Sequence, residues 1–388
     1  MTTLLCAHDL SAALQMRDLS DPAQGPHAMQ VLLTEILQAL AGAWGCTVDL
    51  QRRRPLVAVE DNYDRLGYTA ADITRDAHYS RYVAETVMLR SHTSAGIPPA
   101  LRELARHQQA LTDPADELTG GPDEKQADVL LALPGLCYRR DSIDRLHVGT
   151  PHQADLWRIT TARMVGADLA EMIGLVVEAV LPGTRWRTVP ARHPYTRDGW
   201  QVDVESAAGW VEVAECGLAA PHILAGAGLD PERWSGLALG MGLDRAVMLR
   251  KGLTDIRLLR SADPRIAAQM LELSPWRAVS ACPPIRRDLS IVVTGPPDLE
   301  LLGGAVRGAL GSAADDLESL SILGSTPYDE LPPAARARLG LRAGQYNVVL
   351  RLVLRPLGGT LTAQQANHLR DEVYAAVHEG PHREWAAC

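Results

Sequence analysis

Phenylalanine is missing altogether from this chain of 388 residues. Aromatic side chains as a class are not avoided, because eight tryptophans and nine tyrosines are present. Leucine, tyrosine and tryptophan can fill core volume instead, so packing permits the absence without demanding it. Lysine is nearly missing as well. Only Lys125 and Lys251 occur, and the remaining positive charge is arginine, the bias a GC-rich genome produces. No uninterrupted apolar run reaches the roughly 18 residues that a membrane span requires, which excludes a membrane partner. The opening stretch MTTLLCAHDLSAALQMRD lacks a basic start followed by an apolar segment, so no secretory signal is expected and a cytoplasmic location is. Cys6, Cys46, Cys137, Cys216, Cys282 and Cys388 are scattered without a C-x-x-C pair. That pattern points to reduced thiols, not to a disulfide framework or a zinc site, and no metal held by the protein is assigned. Basic charge is also lacking overall: the formal net charge is −9, so any contact with nucleic acid must come from local patches.

What is present reads as an ordinary globular composition, long enough for two or three domains. Apolar spacing of three and four predicts a helix over residues 26–44, stopped by Gly45. An arginine run, Arg52 to Arg54, precedes an extended VAV segment. Residues 98–111 predict a proline-started helix, and Thr112–Lys125 is polar enough to be a loop. A strand, ADVLLALPGLCYRRD, then leads to a long helix expected over residues 160–181. Alternating strands follow in WRTVPARHPYT, WQVDVES and GWVEVAECG, and residues 236–250 read as strand, glycine turn and helix. Strands in succession followed by helices indicate an α+β fold with an antiparallel sheet. A boundary is expected near residues 275–284. The remaining hundred or so residues show a βαββα-like order, that of a small split sandwich. These readings divide the chain into an N-terminal helical extension (1–55), a large domain (56–275) and a small one (280–388).

Two stretches carry the chemistry. Tyr138-Arg139-Arg140-Asp141 places arginine and carboxylate at a strand end, where a guanidinium can grip phosphate and an acid can accept from an adenine amino group. Gly240-Met241-Gly242-Leu243-Asp244-Arg245 lets the backbone approach a ligand and sets an arginine at the start of a helix, the end that favours anions.

Together these stretches resemble motifs 2 and 3 of class II aminoacyl-tRNA synthetases. MLRSHTSA (Met88–Ala95), CYRRD with HQ following Asp141 after ten intervening residues, and GLALGMGLDRAVMLRKGLTDIRLLRSADPR (Gly236–Arg265) are similar to the phenylalanyl catalytic subunit. The chain after about residue 280 resembles the ferredoxin-fold anticodon-binding domain of single-chain organellar phenylalanyl enzymes. The resemblance implies ATP with Mg²⁺, an aromatic amino acid and a phenylalanine-type tRNA, with a monomer favoured and a homodimer possible. It implies that Arg139 holds the α-phosphate, that Arg245 grips the γ-phosphate, and that Asp141, His147 and Glu212 help bind the nucleotide. His92 and Ser94 fall where the family contacts the polar end of the amino acid. Gln153 and Asp155 fall at its Q-x-E, with aspartate one methylene shorter than the usual glutamate.

The side-chain pocket departs most from the family. Its F-P-F reads His193-Pro194-Tyr195 here, and its G-[AC]-G reads Glu215-Cys216-Gly217. Ala238 matches the small residue that leaves room beside the substrate ring. Buried polar atoms in such a pocket need partners, which favours either phenylalanine with Glu215 turned away or a hydroxylated analogue. In the C-terminal part, Arg286, Arg287, Arg351 and Arg355 are candidates for tRNA phosphates. Two alternatives accompany the ligase reading: a paralogue serving a specialised pathway, and a non-catalytic tRNA-binding regulator. Retention of Arg139 and Arg245 counts against the second.

Overall fold

A computed structural model describes residues 4–69, 72, 80–111, 127–139, 144–207, 209–278, 283–356 and 359–382. The loop expected over Thr112–Lys125 lies outside the described residues, as do Arg140 and Asp141. The chain forms two compact units. One comprises residues 1–139, 150–252 and 270–275; the other comprises residues 140–149, 253–269 and 276–388.

The first unit opens with helix α1 (Ala7–Gln15) and helix α2 (Ala28–Trp44). In α2, Leu32, Leu33, Ile36 and Leu40 recur every three or four residues and are all buried, so one stripe faces the core. The His27 side chain caps its start by accepting from the Met29 amide, and Gly45 at φ 65° ends it. Strands β1 (Thr47–Leu50), β2 (Leu56–Ala58), β3 (Arg81–Ala84) and β4 (Val87–Leu89) follow, with the short helix α3 (Val59–Asn62) among them. Then come α4 (Ile97–Leu111), β5 (Asp128–Leu136) and β6 (His152–Thr160).

Helix α5 (Gly166–Val180) starts six residues later than the sequence suggested. Thr160 is still a strand residue, pairing with Asp128 on one side and Ser235 on the other, and the Asp168 side chain sets the helix start by accepting from the Val165 amide. The remaining elements are β7 (Trp186–Pro190), β8 (Thr196–Ser206), β9 (Gly209–Ala219), α6 (Pro221–Gly226), β10 (Ser235–Gly242) and α7 (Leu243–Lys251).

Seven strands form one sheet in the order β1-β5-β6-β10-β9-β8-β7. Only the β1–β5 pair is parallel. The architecture is α+β, as expected. Pro134 is tolerated in β5 because β1 has ended by then, leaving that side of the strand without a ladder partner. Next to it, Gly135 at φ 149° yields space to Arg90, whose Nη2 lies 1.9 Å from where a Cβ would stand. Helices α2, α5 and α7 pack together beneath the sheet. On the other face α4 and α6 cover one end, where Ile97, Leu101, Ile223 and Leu224 meet Leu131, Leu133 and Trp157.

The second unit is built on a three-stranded antiparallel sheet, β11-β13-β12. Its elements are α8 (Pro264–Ala267), β11 (Ile285–Thr294), α9 (Leu299–Leu310), β12 (Leu317–Pro327), α10 (Pro333–Leu339), β13 (Gln345–Leu354) and α11 (Ala363–Val377). This is the βαββα order with one short helix inserted. Asp298 caps α9 and Thr362 with Gln365 forms a capping box on α11, so both long helices have defined starts. Ile291, Val306, Val348, Leu350, Leu352 and Val373 are the centre of an aliphatic core. Within this unit Asp255 and Arg257 form a buried pair at 2.6 Å, and Arg257 also donates to the Asp315 carbonyl. Among the described residues no helix is long and apolar enough to cross a membrane.

Candidate active site

In a sheet, residues paired directly across neighbouring strands point to the same face. Asp155 of β6 pairs with Gly240 of β10, and Gly240 pairs with Glu215 of β9. Two carboxylates therefore stand on one face, on either side of a residue with no side chain. The next row holds Trp157, Ala238 and Gly217. The floor between the walls is thus Ala238 and Gly240. At Gly240 the nearest atom to an added Cβ is an Asp155 oxygen, 3.9 Å away, so the floor is open there. Gly217 has a different reason to be glycine: a Cβ would come within 2.7 Å of Thr196 on the adjoining strand. Ala238 is packed in the core beside Trp157.

A register shift at Val202/Asp203 brings Glu212 onto this face too. Glu215 pairs with Gln201, yet Glu212, three residues away, pairs with Asp203. A bulge is what lets an odd spacing share a face. Arg245, at the start of α7, donates from Nη1 to the Glu212 carbonyl at 2.9 Å. Burial and the nearby Glu215 raise the Glu212 carboxyl, while Arg245 and Arg139 pull it back. Arg139 reaches the site from the strand beyond β5, where its backbone bridges Ser80.

Asp155 is 3% exposed and is hydrogen-bonded by three side chains. Thr93 Oγ1 donates at 2.6 Å and Ser94 Oγ at 3.1 Å to one oxygen, and Trp157 Nε1 donates at 3.1 Å to the other. Burial pushes its carboxyl up, and these donors draw it down again. Gln153 Oε1 accepts from the Thr93 amide and from the Cys137 thiol, whose own pKa burial lifts to about 12.

Rings surround this carboxylate. Tyr195 stacks on Trp157 at 6.0 Å and on His193 at 5.3 Å, and Tyr68 approaches both Tyr195 (6.3 Å) and His92 (5.9 Å). His92 is pushed down to about 4 by burial and by the charge of Arg139. Both ring nitrogens are buried and, among the described residues, neither has a hydrogen-bond partner. His193 Nε2 lies 2.9 Å from Glu215 Oε2, and that hydrogen bond raises His193 above the ordinary imidazole range.

Beneath the site runs a second polar chain. The Leu19 amide donates to His152 Nε2 at 2.9 Å, which leaves Nδ1 to donate to Asp244 Oδ1 at 3.0 Å. The His152 amide also donates to Asp244, the residue before Arg245. Likewise Tyr138 Oη donates to the Ala13 carbonyl. The N-terminal segment thus braces both arginine-bearing stretches.

The sheet face brings together Ser94, Gln153, Asp155, Glu212, Glu215, Gly217, Ala238 and Arg245, with His92, Arg139, His193 and Tyr195 at its border. His147 belongs to the second unit, where it pairs with Asp144 at 2.8 Å. Thr93, Trp157, Tyr68, His152 and Asp244 were not singled out from sequence. Two-residue alternation was the available signal for one of them, since it puts Trp157 on the face of Asp155. Of the arginines in the second unit, Arg351 pairs with Asp288, Arg355 with the buried Glu318 at 2.6 Å, and Arg287 with Asn367; Arg286 is exposed.

A mostly antiparallel sheet with three carboxylates on one face, flanked by Arg139 beyond β5 and Arg245 in the first turn of α7, agrees with the synthetase-like motifs in the sequence. Residues 49–270 match the family of tRNA synthetases class II core domain (F), and the chain belongs to that family. It is 31% identical over 265 residues to the phenylalanine–tRNA ligase alpha subunit of Prochlorococcus marinus, spanning 61% of this chain and 71% of that one. It is 28% identical to the alpha subunit of Leptospira biflexa, of which it spans 59%. A probable mitochondrial phenylalanine–tRNA ligase of Drosophila melanogaster is 25% identical over 83% of this chain and 75% of its own length. A solved pyrrolysyl tRNA synthetase of Desulfitobacterium hafniense aligns at TM-score 0.43 and 17% identity, covering 60% of this chain and 73% of the other.

Proposed function

We propose that the chain activates an aromatic amino acid with ATP and transfers it to a phenylalanine-type tRNA. The observation that carries this reading is the row Asp155–Gly240–Glu215 beside Glu212 and Arg245 on one sheet face. Asp155 would receive the α-ammonium, with Ser94 and Gln153 beside it. Arg139 would hold the α-phosphate while the amino-acid carboxylate attacks phosphorus and the bond to the β-phosphate breaks, releasing pyrophosphate. Arg245 would neutralise the departing end. No side chain needs to move a proton in this step, so positioning and charge supply the rate. Magnesium accompanies ATP phosphates with one or two carboxylates, and Glu212, which feels the charges of both Arg245 and Arg139, would be the carboxylate to share it. Asp141 and His147 are assigned to the nucleotide by the same reading, Asp141 lying outside the described residues.

The second unit would bind the tRNA body through Arg286, Arg287, Arg351 and Arg355, as an anticodon-binding domain does. Three of those arginines already have protein partners, so the affinity should be modest and fall with salt. The enzyme acts in the cytoplasm in this reading, as a monomer or a homodimer. ATP–pyrophosphate exchange with phenylalanine and its ring analogues tests the proposal. Exchange that depends on an aromatic amino acid, and that falls by at least about a hundredfold in Arg245→Ala, is the expected result. Full exchange activity in that variant would overturn the phosphate role.

A further inference from the structure

Glu215 has no task in a site that only has to hold an ammonium and an unsubstituted ring. Asp155 already provides a carboxylate for the ammonium, with three of its four lone-pair positions taken by Thr93, Ser94 and Trp157 and one left. Glu215 is a second acceptor on the same face, two strands away across Gly240, about 10 Å distant at the backbone. Between them lies the open glycine floor, and the rings of Tyr68 and Tyr195 stand near both carboxylates. The His193–Glu215 contact occupies Oε2, and among the described residues no hydrogen bond to Oε1 is seen. His92, with its two buried ring nitrogens lacking a partner, marks the same pocket as built around a polar ligand.

We propose that Glu215, held by His193, selects an amino acid whose aromatic ring carries a hydrogen-bond donor, a hydroxyl or an amine, over phenylalanine itself. This rests on the activation reading above and names the substrate class of that site. The ring would lie on the Ala238–Gly240 floor, its ammonium on Asp155 and its donor on Glu215 Oε1. An unsubstituted ring entering the same space strips water from the Glu215–His193 pair and returns nothing to it. Glu215 is 39% exposed, so the penalty is that of a partly wet site and smaller than a fully buried one would impose.

Pyrophosphate exchange is measured with L-phenylalanine, L-tyrosine, L-meta-tyrosine and 4-amino-L-phenylalanine, for the wild type, Glu215→Gly, Glu215→Gln and His193→Phe. The wild type should favour at least one donor-bearing ring over phenylalanine by about tenfold to a hundredfold in kcat/KM. Glu215→Gly should collapse that ratio and raise kcat/KM for phenylalanine, and Glu215→Gln, which keeps the shape, should lower the ratio severalfold. His193→Phe should weaken the preference in the same direction. Exchange in which phenylalanine equals or beats every analogue overturns the inference while leaving the activation reading standing. So does a ratio unmoved by both Glu215 variants. Exchange with none of these amino acids overturns the activation reading, and this inference falls with it.

Discussion

The two units use buried polarity in different ways. In the second, Asp255, Arg257, Glu318 and His378 are the buried polar residues described, and the core around them is aliphatic. Asp255 is tied up with Arg257, and Glu318 with Arg355. In the first, Thr93, Ser94, His152, Asp155 and Asp244 are buried within or beneath a single face of the sheet, and each holds another in place. In both, most of these groups are held by protein partners. In the first, the network on the sheet face ends at groups that can still bind: the last lone pair of Asp155, the ring nitrogens of His92 and one oxygen of Glu215. Polar burial that closes on itself stabilises a fold; polar burial that stops short of closure marks a place for a ligand.

That contrast can be broken by substitution. Asp155→Ala should have the largest effect: pyrophosphate exchange falls by about a thousandfold, and urea unfolding shows a loss of about 2–3 kcal/mol because Thr93, Ser94 and Trp157 lose their acceptor. Asp244→Asn comes next. It turns one of the two oxygens that accept from His152 into an NH2 donor, so either the His152 amide or its Nδ1–H loses its acceptor and the support of Arg245 is weakened. Exchange should drop by about a hundredfold, with the KM for ATP rising and that for the amino acid unchanged. An equal rise in both KM values would make this pair a general structural element.

Lys251→Met sharpens the comparison from the side of stability. Lys251 Nζ donates to the carbonyls of Glu272 and Ser274, both at 2.7 Å, and the variant leaves those carbonyls bare. Unfolding should cost about 2 kcal/mol less, with exchange per folded molecule retained. In the second unit, Arg351→Ala should leave the urea unfolding midpoint essentially unchanged, because its pair with Asp288 lies at the surface.

The smallest effect concerns pH. Glu215 raises the His193 pKa on folding, so the pair's contribution is complete below the unfolded value near 6.5 and is lost as pH rises through the folded one. The stability difference between wild type and His193→Phe should therefore shrink on going from pH 6 to pH 8.5, by less than about 1 kcal/mol. A difference that stays constant would show that the pair is not charged.

Much of this was legible in the residues themselves. Strand and helix periodicity located β5, β8 to β10, α2, α4 and α7; of the two arginine-bearing stretches, Arg139 follows β5 and Arg245 sits in the first turn of α7. The start of α5 was not legible, because Thr160 to Val165 suits a helix locally and only cross-strand pairing shows where β6 ends. The joint role of Glu212 and Glu215 was hidden for a related reason: an odd spacing places them on opposite faces until the bulge is known. The bracing of His152 by Leu19 joins positions 133 residues apart, and no local pattern encodes it. The pocket itself was visible only as a set of departures; the pairing of His193 with Glu215 needed coordinates.

The core of this molecule is closed by Trp157, Tyr63 and Tyr138 where other chains would draw on phenylalanine. A protein without phenylalanine codons is a product that mischarged phenylalanine tRNA cannot alter. If the enzyme loads a substituted ring onto that tRNA, chains containing phenylalanine inherit the change in their interiors, and this one is made as before. Its fidelity is thus separated from the fidelity of its own product: errors it introduces into translation do not return to the catalyst.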